Sequence, residues 1–302
     1  MTTASVLHVL LALTACPLLL GIINRTKAFF AGRHGQPVLQ TYYDLAKLLR
    51  KGAVYSRTTT WLFRAGPIIG VGCAAAALLM APLGGVEALL AFPGDMLVLA
   101  YLLGLMRFAT VLAALDTGSA FEGMGASREV QFSMLAEPAL LLGLAALAAG
   151  SHSLSLTGMY ADPLSAGAAH VPALVLVAAA VLVVLLTENA RIPVDDPNTH
   201  LELTMIHEVM VLDHSGVDLA FIHYAACLKL WVLGSLLVGL AVPLRTGHPL
   251  VDLALGAIGL AVMAVVVGVI ESVMARLRLI RLPQLLVTAS VLSLLAVIWL
   301  LR

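Results

Sequence analysis

"VPALVLVAAAVLVVLL", residues 171–186, runs directly into "TENARIPVDDPNTHLELTMIHEV", residues 187–209. The first part contains no polar side chain over sixteen residues. That is close to the roughly 20 apolar residues that cross a membrane's hydrocarbon layer as a helix. The second part carries acids and histidines at Glu188, Asp195, Asp196, His200, Glu202, His207 and Glu208. The junction predicts a membrane-spanning helix that ends in a polar segment at the membrane surface.

The composition extends this interpretation to the whole chain. Of the 302 residues, 61% are hydrophobic and the mean hydropathy is +1.02, whereas soluble proteins are about 45–50% apolar. Because a backbone in lipid must satisfy its own hydrogen bonds, the spans should be helices. We predict an all-α integral membrane protein, one polytopic domain over residues 1–302, with about eight transmembrane helices at 5–23, 62–82, 96–115, 130–150, 169–187, 217–243, 250–271 and 282–301.

The basic residues indicate how the spans are oriented. Thirteen of the 17 Lys and Arg residues lie in or beside the loops after the odd-numbered spans, against Arg245 and Arg302 on the other side. Cytoplasmic loops are enriched in Lys and Arg. Both chain termini are therefore predicted to lie outside the cytoplasm.

The first of these loops contains a short amphipathic pattern. In "VLQTYYDLAKLLRKG", residues 38–52, apolar side chains recur at helical spacing, at Leu39, Tyr42, Leu45, Ala46 and Leu49. This pattern predicts one interfacial amphipathic helix. Two interpretations stay open, a basic helix resting on anionic lipid and a helix that docks on a partner protein.

Three of the ionisable side chains inside predicted spans stand out: Arg107, Glu137 and Lys229. Each costs about 2.5–3.5 kcal/mol on insertion scales and is therefore a candidate functional residue. Arg107 and Glu137 lie at similar depth and could form an ion pair. Lys229 lies near mid-membrane, with His223 nearer the cytoplasm, and desolvation could remove its charge, as a proton relay requires. The alternative is a static ion pair or a lysine bound to helix carbonyls.

Residues 116–130, "DTGSAFEGMGASREV", are rich in glycine and short polar side chains. Such residues favour tight turns over helix, so we predict an irregular loop that ends at Arg128 and Glu129. Phosphate binding is not favoured, because the loop has no Gly-Lys-Ser/Thr sequence and no flanking strand pattern.

The polar segment cannot form one helix, because Pro193 and Pro197 interrupt it. We expect Glu188 to end the fifth span and helical structure to resume at Leu201. His207 begins a zinc-protease-like pattern, but the position of the second histidine is occupied by valine, so metal binding is not favoured. The acids alternate with apolar residues, which favours burial against another protein and perturbed pKa values; these residues are Ile192, Val194, Leu201, Leu203 and Met205.

Three motifs carry a family resemblance: "ENARIPVDDPNTHLELTMIHE" at 188–208, "GRHGQPVLQTYYDLAKLLRKG" at 32–52 and "GMGASREVQFSMLAEPALL" at 123–141. They resemble the small membrane-anchoring subunit of group 4 membrane-bound NiFe hydrogenases, as in formate hydrogenlyase and hydrogenase-4 complexes. That subunit is in turn similar to the proximal membrane subunit of respiratory complex I. The likeness covers nearly the whole chain.

The resemblance implies a non-catalytic subunit that anchors a hydrogenase to a prokaryotic cytoplasmic membrane. The expected partners are the NiFe large subunit, the small subunit with 4Fe-4S clusters, antiporter-like membrane subunits and the lipid bilayer. This chain itself would bind no cofactor, no metal and no nucleic acid. The expected docking residues are Arg128, Glu129, Arg191, Asp196, His200, His207, Tyr42, Tyr43, Asp44 and Lys47. Proton or sodium movement would be coupled through Glu137, Lys229, Arg107, His223, Glu188, Asp195, Glu202 and Glu208.

The sequence departs from the complex I pattern in the polar segment. In the complex I subunit that this chain resembles, glutamates occupy the positions of Asn198, His200 and Glu202. Of these three residues, only Glu202 is acidic in this chain. Asparagine does not ionise, and histidine titrates near neutrality. We therefore favour a subunit that does not reduce quinone. A quinone-site subunit is the second choice, and a stand-alone transporter, which should show an inverted repeat, and a purely structural anchor stay open.

Overall fold

The computed structural model describes residues 3–161, 170–195, 205–243 and 245–301. Within these ranges the chain forms ten α-helices in order: α1 Thr3–Phe30, α2 Gln40–Leu49, α3 Trp61–Met80, α4 Asp95–Asp116, α5 Ala120–Ser151, α6 Leu156–Ala161, α7 Val171–Glu188, α8 Gly216–Ala241, α9 Pro249–Val273 and α10 Leu282–Leu300. Two 3-10 turns lie at Glu208–Val211 and Leu279–Arg281.

The predicted all-α membrane fold is confirmed. Eight helices are long and apolar enough to span a membrane, namely α1, α3, α4, α5, α7, α8, α9 and α10. Six of them agree with the predicted spans to within two residues at each end, whereas α1 continues to Phe30 and α5 begins already at Ala120. The short helix α6 was not predicted from the sequence.

The predicted amphipathic helix is confirmed as α2. None of its residues is buried within the chain, and it packs beside α1 and α8. The Tyr42 hydroxyl donates to the Thr14 carbonyl oxygen of α1 at 2.6 Å. Gln40 donates to the Asp44 carboxylate at 2.9 Å, one turn along the helix. The first bond ties α2 to α1, and the second stabilises α2 itself.

The predicted irregular loop over 116–130 is wrong. Only a short turn, with Gly118 at φ +71°, separates α4 from α5, and residues 120–130 are helical. The glycines serve packing here: a Cβ atom on Gly125 would lie 3.0 Å from the Ile206 carbonyl oxygen. Gly125 therefore lets the polar segment approach α5 closely, and this tertiary contact outweighs the low helix propensity of glycine.

The helix expected from Leu201 is also not found where the chain is described. Residues 201–204 lie outside the described ranges, and residues 205–211 form a bend and a single 3-10 turn. Backbone groups that a helix would use are bound elsewhere. The Asp195 carboxylate accepts from the Ile206 N–H at 3.0 Å, and Arg128 donates to the Met205 carbonyl oxygen at 2.9 Å.

Helix α8 lies at the centre of the bundle. In its most apolar 18-residue stretch, 83% of the residues are buried inside the chain, whereas the corresponding share in the other spans is at most 50%. It packs against α1, α2, α3, α7 and α9. A polar side chain in the middle of α8 must therefore find its partners within this chain, and Lys229, which is 5% exposed, is such a residue.

Candidate functional site

The polar segment begins where α7 stops at Glu188, as predicted. The Arg191 N–H donates to the Leu186 carbonyl oxygen at 2.8 Å, and the Ile192–Pro193 peptide bond is cis. The chain thus turns back beneath the helix end. Val194 packs with residues of α5 and α10, and Met205 is also buried. Burial of the alternating apolar residues was expected, but in the described residues this chain covers them instead of another protein.

Four charged side chains form a connected row through the bundle. Arg107 Nη2 lies 3.0 Å from Glu137 Oε1, and Arg107 Nη1 lies 3.1 Å from Glu188 Oε1. Lys229 Nζ lies 3.7 Å from Glu188 Oε2. The predicted pairing of Arg107 with Glu137 is confirmed. Glu188 joins that pair to Lys229, so residues of α4, α5, α7 and α8 share one charge network, named here the intramembrane row.

Arg107 and Lys229 lie well inside their helices, whereas Glu188 is the last residue of α7. Arg107 is nine residues from Asp116, the end of α4 nearest the polar segment, which corresponds to about 14 Å at the helical rise. Lys229 is thirteen residues from Gly216, which corresponds to about 20 Å. Two positive and two negative charges cancel, and this pairing offsets part of the desolvation cost of burying them.

The links to Glu188 are held by charge rather than by well-aligned hydrogen bonds. Arg107 Nη1 and Glu188 Oε2 are buried and make no hydrogen bond, although each lies within ion-pair distance of its partner. Side-chain exposure is 8% for Arg107, 6% for Glu188 and 6% for Lys229, but 51% for Glu137. Glu137 thus presents a half-exposed carboxylate on the outer face of the bundle at membrane depth.

Asp195 connects the two ends of the polar segment. Its carboxylate lies 2.8 Å from Arg276 Nη2 and accepts from the Ile206 and His207 N–H groups at 3.0 and 3.1 Å. Burial, with Lys229 nearby, lowers the pKa of His207. His207 therefore favours its neutral form in the folded chain.

A chamber of about 490 Å³ opens between α1, α2, α8 and the polar segment. It brings together eight of the predicted site residues, which are Asp44, Lys47, Glu188, Arg191, His207, Glu208, His223 and Lys229. Lys51, Asn24 and Asn189 add further polar groups, while Leu20, Leu45 and Ile222 contribute apolar surface. The chamber connects the amphipathic helix with the lysine of the intramembrane row.

The remaining predicted residues are placed as follows. Glu129 lines a small cavity with Glu188 and Asp195, Arg128 binds Met205, and Tyr43 is 60% exposed. Asp196, His200 and Glu202 lie outside the described residues.

The sequence reasoning missed Glu271. This residue of α9 has no exposed side-chain surface, and its Oε2 lies 2.8 Å from Lys27 Nζ. Its Oε1 lies 3.5 Å from Arg191 Nη1. The only signal in the sequence is an acid within the last turn of an apolar span, which is also where a span commonly reaches the membrane surface.

A second buried polar cluster, also missed, lies where α3, α5 and α8 begin. Glu122 is fully buried and accepts from the Asp213 N–H at 3.0 Å. The His214 ring stacks on Phe63 with centroids 3.9 Å apart. Burial lowers the pKa of His214 to about 4, so this histidine is neutral in the folded chain at neutral pH.

Comparison with known proteins gives consistent matches along the whole chain. Residues 2–301 match the model of the family described as "NADH dehydrogenase". The chain is 33% identical over 289 residues to formate hydrogenlyase subunit 4 of Escherichia coli (strain K12), covering 92% of both chains. It is 34% identical over 237 residues to hydrogenase-4 component C of the same organism, covering 78% of this chain and 73% of the relative.

A solved structure has the same fold. A chain of the membrane-bound sulfane sulfur reductase, an archaeal respiratory membrane complex, superposes with a TM-score of 0.82 at 19% identity, covering 98% of each chain. At that identity the likeness shows the fold alone.

Proposed function

The chain belongs to the NADH dehydrogenase family, and from this premise we propose that it is the membrane-anchoring and ion-coupling subunit of a membrane-bound NiFe hydrogenase complex. The two relatives at about one-third identity bear the names of formate hydrogenlyase and hydrogenase-4 components, as the three sequence motifs predicted. The observation that carries the proposal is the intramembrane row, which joins a half-exposed carboxylate at Glu137 to the chamber beside the polar segment.

The intramembrane row is suited to passing on a change of charge. Arg107 serves two carboxylates at similar distances, and Glu188 serves two cations. Because Glu188 contacts both cations, its protonation would weaken its hold on both Arg107 and Lys229. Proton or sodium movement would then follow electron transfer in a partner. Asp195, Glu208, His223 and Glu202 would link the row to that partner.

The cytoplasmic side of the chain is the proposed docking face for the hydrogenase. We assign to it the polar segment and α2, with the NiFe large subunit and the 4Fe-4S small subunit as occupants. Support comes from the exposed aromatic ring of Tyr43 and from the basic side chains beside the chamber. The NiFe centre and the 4Fe-4S clusters would belong to these partners, and reaction at nickel would take place there.

The membrane face around Glu137 is the proposed contact with an antiporter-like subunit. A half-exposed carboxylate at this depth is costly against lipid. Gly104 and Leu141 flank it in a cavity of about 80 Å³. A neighbouring helix with a hydrogen-bond donor at the same depth would remove that cost, and it would also continue the intramembrane row out of this subunit.

The proposed orientation places the polar segment on the cytoplasmic side of a prokaryotic cytoplasmic membrane. The asymmetric distribution of Lys and Arg supports it. Cysteines introduced at positions 33 and 246 test it: a membrane-impermeant maleimide added to intact spheroplasts should label only position 246. Labelling of position 33 alone would reverse the orientation.

A quinone site is the second candidate function, favoured by the volume of the chamber, which at about 490 Å³ is within the range of small-molecule sites. Quinone extracted from the purified native complex, or inhibition by quinone-site blockers, would favour it over the hydrogenase proposal.

Purification of the native complex tests the proposed function. An affinity tag is placed on this chain in the producing organism, and an untagged strain treated identically is the control. We expect co-purifying hydrogenase subunits, nickel and iron in stoichiometric amounts, and hydrogen evolution with a reduced viologen. A complex without nickel and without hydrogenase subunits would overturn the proposal.

A further inference from the structure

Glu271 is a buried carboxylate that the proposed ion path does not use. Its side chain has no exposed surface, yet it contacts two cations, Lys27 of α1 and Arg191 of the polar segment. Lone buried charges are strongly unfavourable unless paired. The pairs therefore fix three parts of the chain relative to one another: α1, α9 and the turn after α7.

Close packing of α1 and α9 makes this arrangement possible. A Cβ atom on Gly268 would lie 3.0 Å from the Ile23 carbonyl oxygen and 2.7 Å from Thr26 Cβ. Gly268 thus brings the two helix backbones together one turn before Glu271. This contact determines the position along α1 and α9 at which Lys27 reaches the Glu271 carboxylate.

Arg191 controls the geometry of the turn that follows α7. Its carbonyl oxygen accepts from the Val194 and Asp195 N–H groups at 2.8 and 3.2 Å, and its own N–H is bound to α7. Glu188 lies only three residues before Arg191. A fixed Arg191 therefore fixes the direction in which Glu188 faces Arg107 and Lys229.

The residues just after α9 bind the same turn twice more. The Leu277 N–H donates to the Pro193 carbonyl oxygen at 2.9 Å, and Arg276 pairs with Asp195 at 2.8 Å. Together with the Glu271–Arg191 pair, three attachments run from residues 271–277 to residues 191–195. Asp195 extends this hold to Ile206 and His207.

We propose that Glu271 and Arg276 are positioning residues for ion coupling. Residues 271–277 hold the turn at 191–195 in a fixed orientation. A change of charge in the polar segment therefore alters the electrostatic environment of Glu188 and does not simply displace the turn. This inference rests on the proposed function. Neither residue lies in the intramembrane row, and each acts through a residue that it orients.

The test uses the native complex reconstituted in liposomes, with ion movement recorded per hydrogen molecule turned over. For Glu271→Gln we expect an assembled complex in which ions moved per hydrogen fall about fivefold, as for a mutation in a coupling network. Glu271→Asp, which keeps the charge, should recover at least part of the loss. The matched control is Asp252→Asn, which alters another buried carboxylate of α9 at its opposite end, where Thr246 binds it, and should keep the wild-type ratio.

Arg276→Gln is the second test if Glu271→Gln does not assemble. Arg276 lies after the end of α9, so this substitution does not alter the helix itself. It should lower the ratio to a similar extent. A wild-type ratio in assembled Glu271→Gln, or in Arg276→Gln if the first variant fails, would overturn the positioning role, as would an equal loss in Asp252→Asn. Failure of the wild-type complex to move ions would instead overturn the proposed function.

Discussion

Arg107 and Glu188 form a buried ion pair of 3.1 Å that joins the middle of α4 to the last residue of α7. The same guanidinium holds Glu137 at 3.0 Å. One side chain thus connects the polar segment with a carboxylate on the outer face of the bundle. Removal of Arg107 separates these two groups and leaves two carboxylates with Lys229 as the remaining cation of the row.

Arg107→Met should therefore destabilise the isolated chain. Breaking a buried ion pair from one side costs about 3–5 kcal/mol. The measurement is the free energy of unfolding in a detergent titration, followed by tryptophan fluorescence. Arg57→Met, at an exposed position, is the matched control and should change the free energy by less than about 0.5 kcal/mol. Equal stability of the two variants would contradict a charge network at Arg107.

Lys229 and Glu188 should behave as an energetically coupled pair. Their charged atoms lie 3.7 Å apart, and both side chains are 6% exposed. We expect Lys229→Met and Glu188→Gln to be non-additive by about 0.5–3 kcal/mol in a double-mutant cycle of unfolding free energies. Lys229→Met combined with Glu87→Gln, an exposed position distant in the sequence, should be additive. Additivity of the first pair would show that the ion pair contributes nothing to stability.

His214 should make the chain less stable in acid. Burial lowers its pKa from 6.5 to about 4, so the unfolded chain takes up a proton at pH values where the folded chain does not. Its contribution is fully present above pH 6.5 and is lost as the pH falls towards 4, at about 1.4 kcal/mol per pH unit. His214→Gln should therefore flatten the pH dependence of the unfolding midpoint, measured from pH 7.5 to 4.5.

His34→Gln, at an exposed position, is the control for the histidine substitution and should keep the wild-type pH dependence. If His214→Gln lost stability by the same amount at every pH and retained the wild-type slope, the neutral, buried state of His214 would be contradicted.

The fold was largely predictable because the spans are read from hydropathy, which needs no knowledge of partners. Helix ends were less predictable. Residues 120–130 are helical although their glycines predict a loop, since Gly125 is required by contact with Ile206. Likewise, the 3-10 turn in place of the expected helix follows from bonds of Asp195 and Arg128 that no local pattern reveals.

The candidate site was predictable where charge itself was the signal. Arg107, Glu137 and Lys229 stood out because ionisable residues are rare in apolar spans. Glu271 did not, because an acid near the end of a span resembles a surface residue. Lys27 and Arg276 were counted only as basic loop residues, yet both pair with buried carboxylates. Pairing depends on which helices become neighbours, and a single sequence does not specify that.

In the proposed function, the intramembrane row carries ion coupling from the polar segment to Glu137. The most direct measurement is hydrogen-driven ion movement by the reconstituted native complex, recorded as ions per hydrogen molecule for Glu137→Gln and Lys229→Ala, with Glu87→Gln as control. We expect this ratio to fall to background in the first two variants and to be unchanged in the control. A wild-type ratio in assembled Glu137→Gln and Lys229→Ala complexes would contradict it.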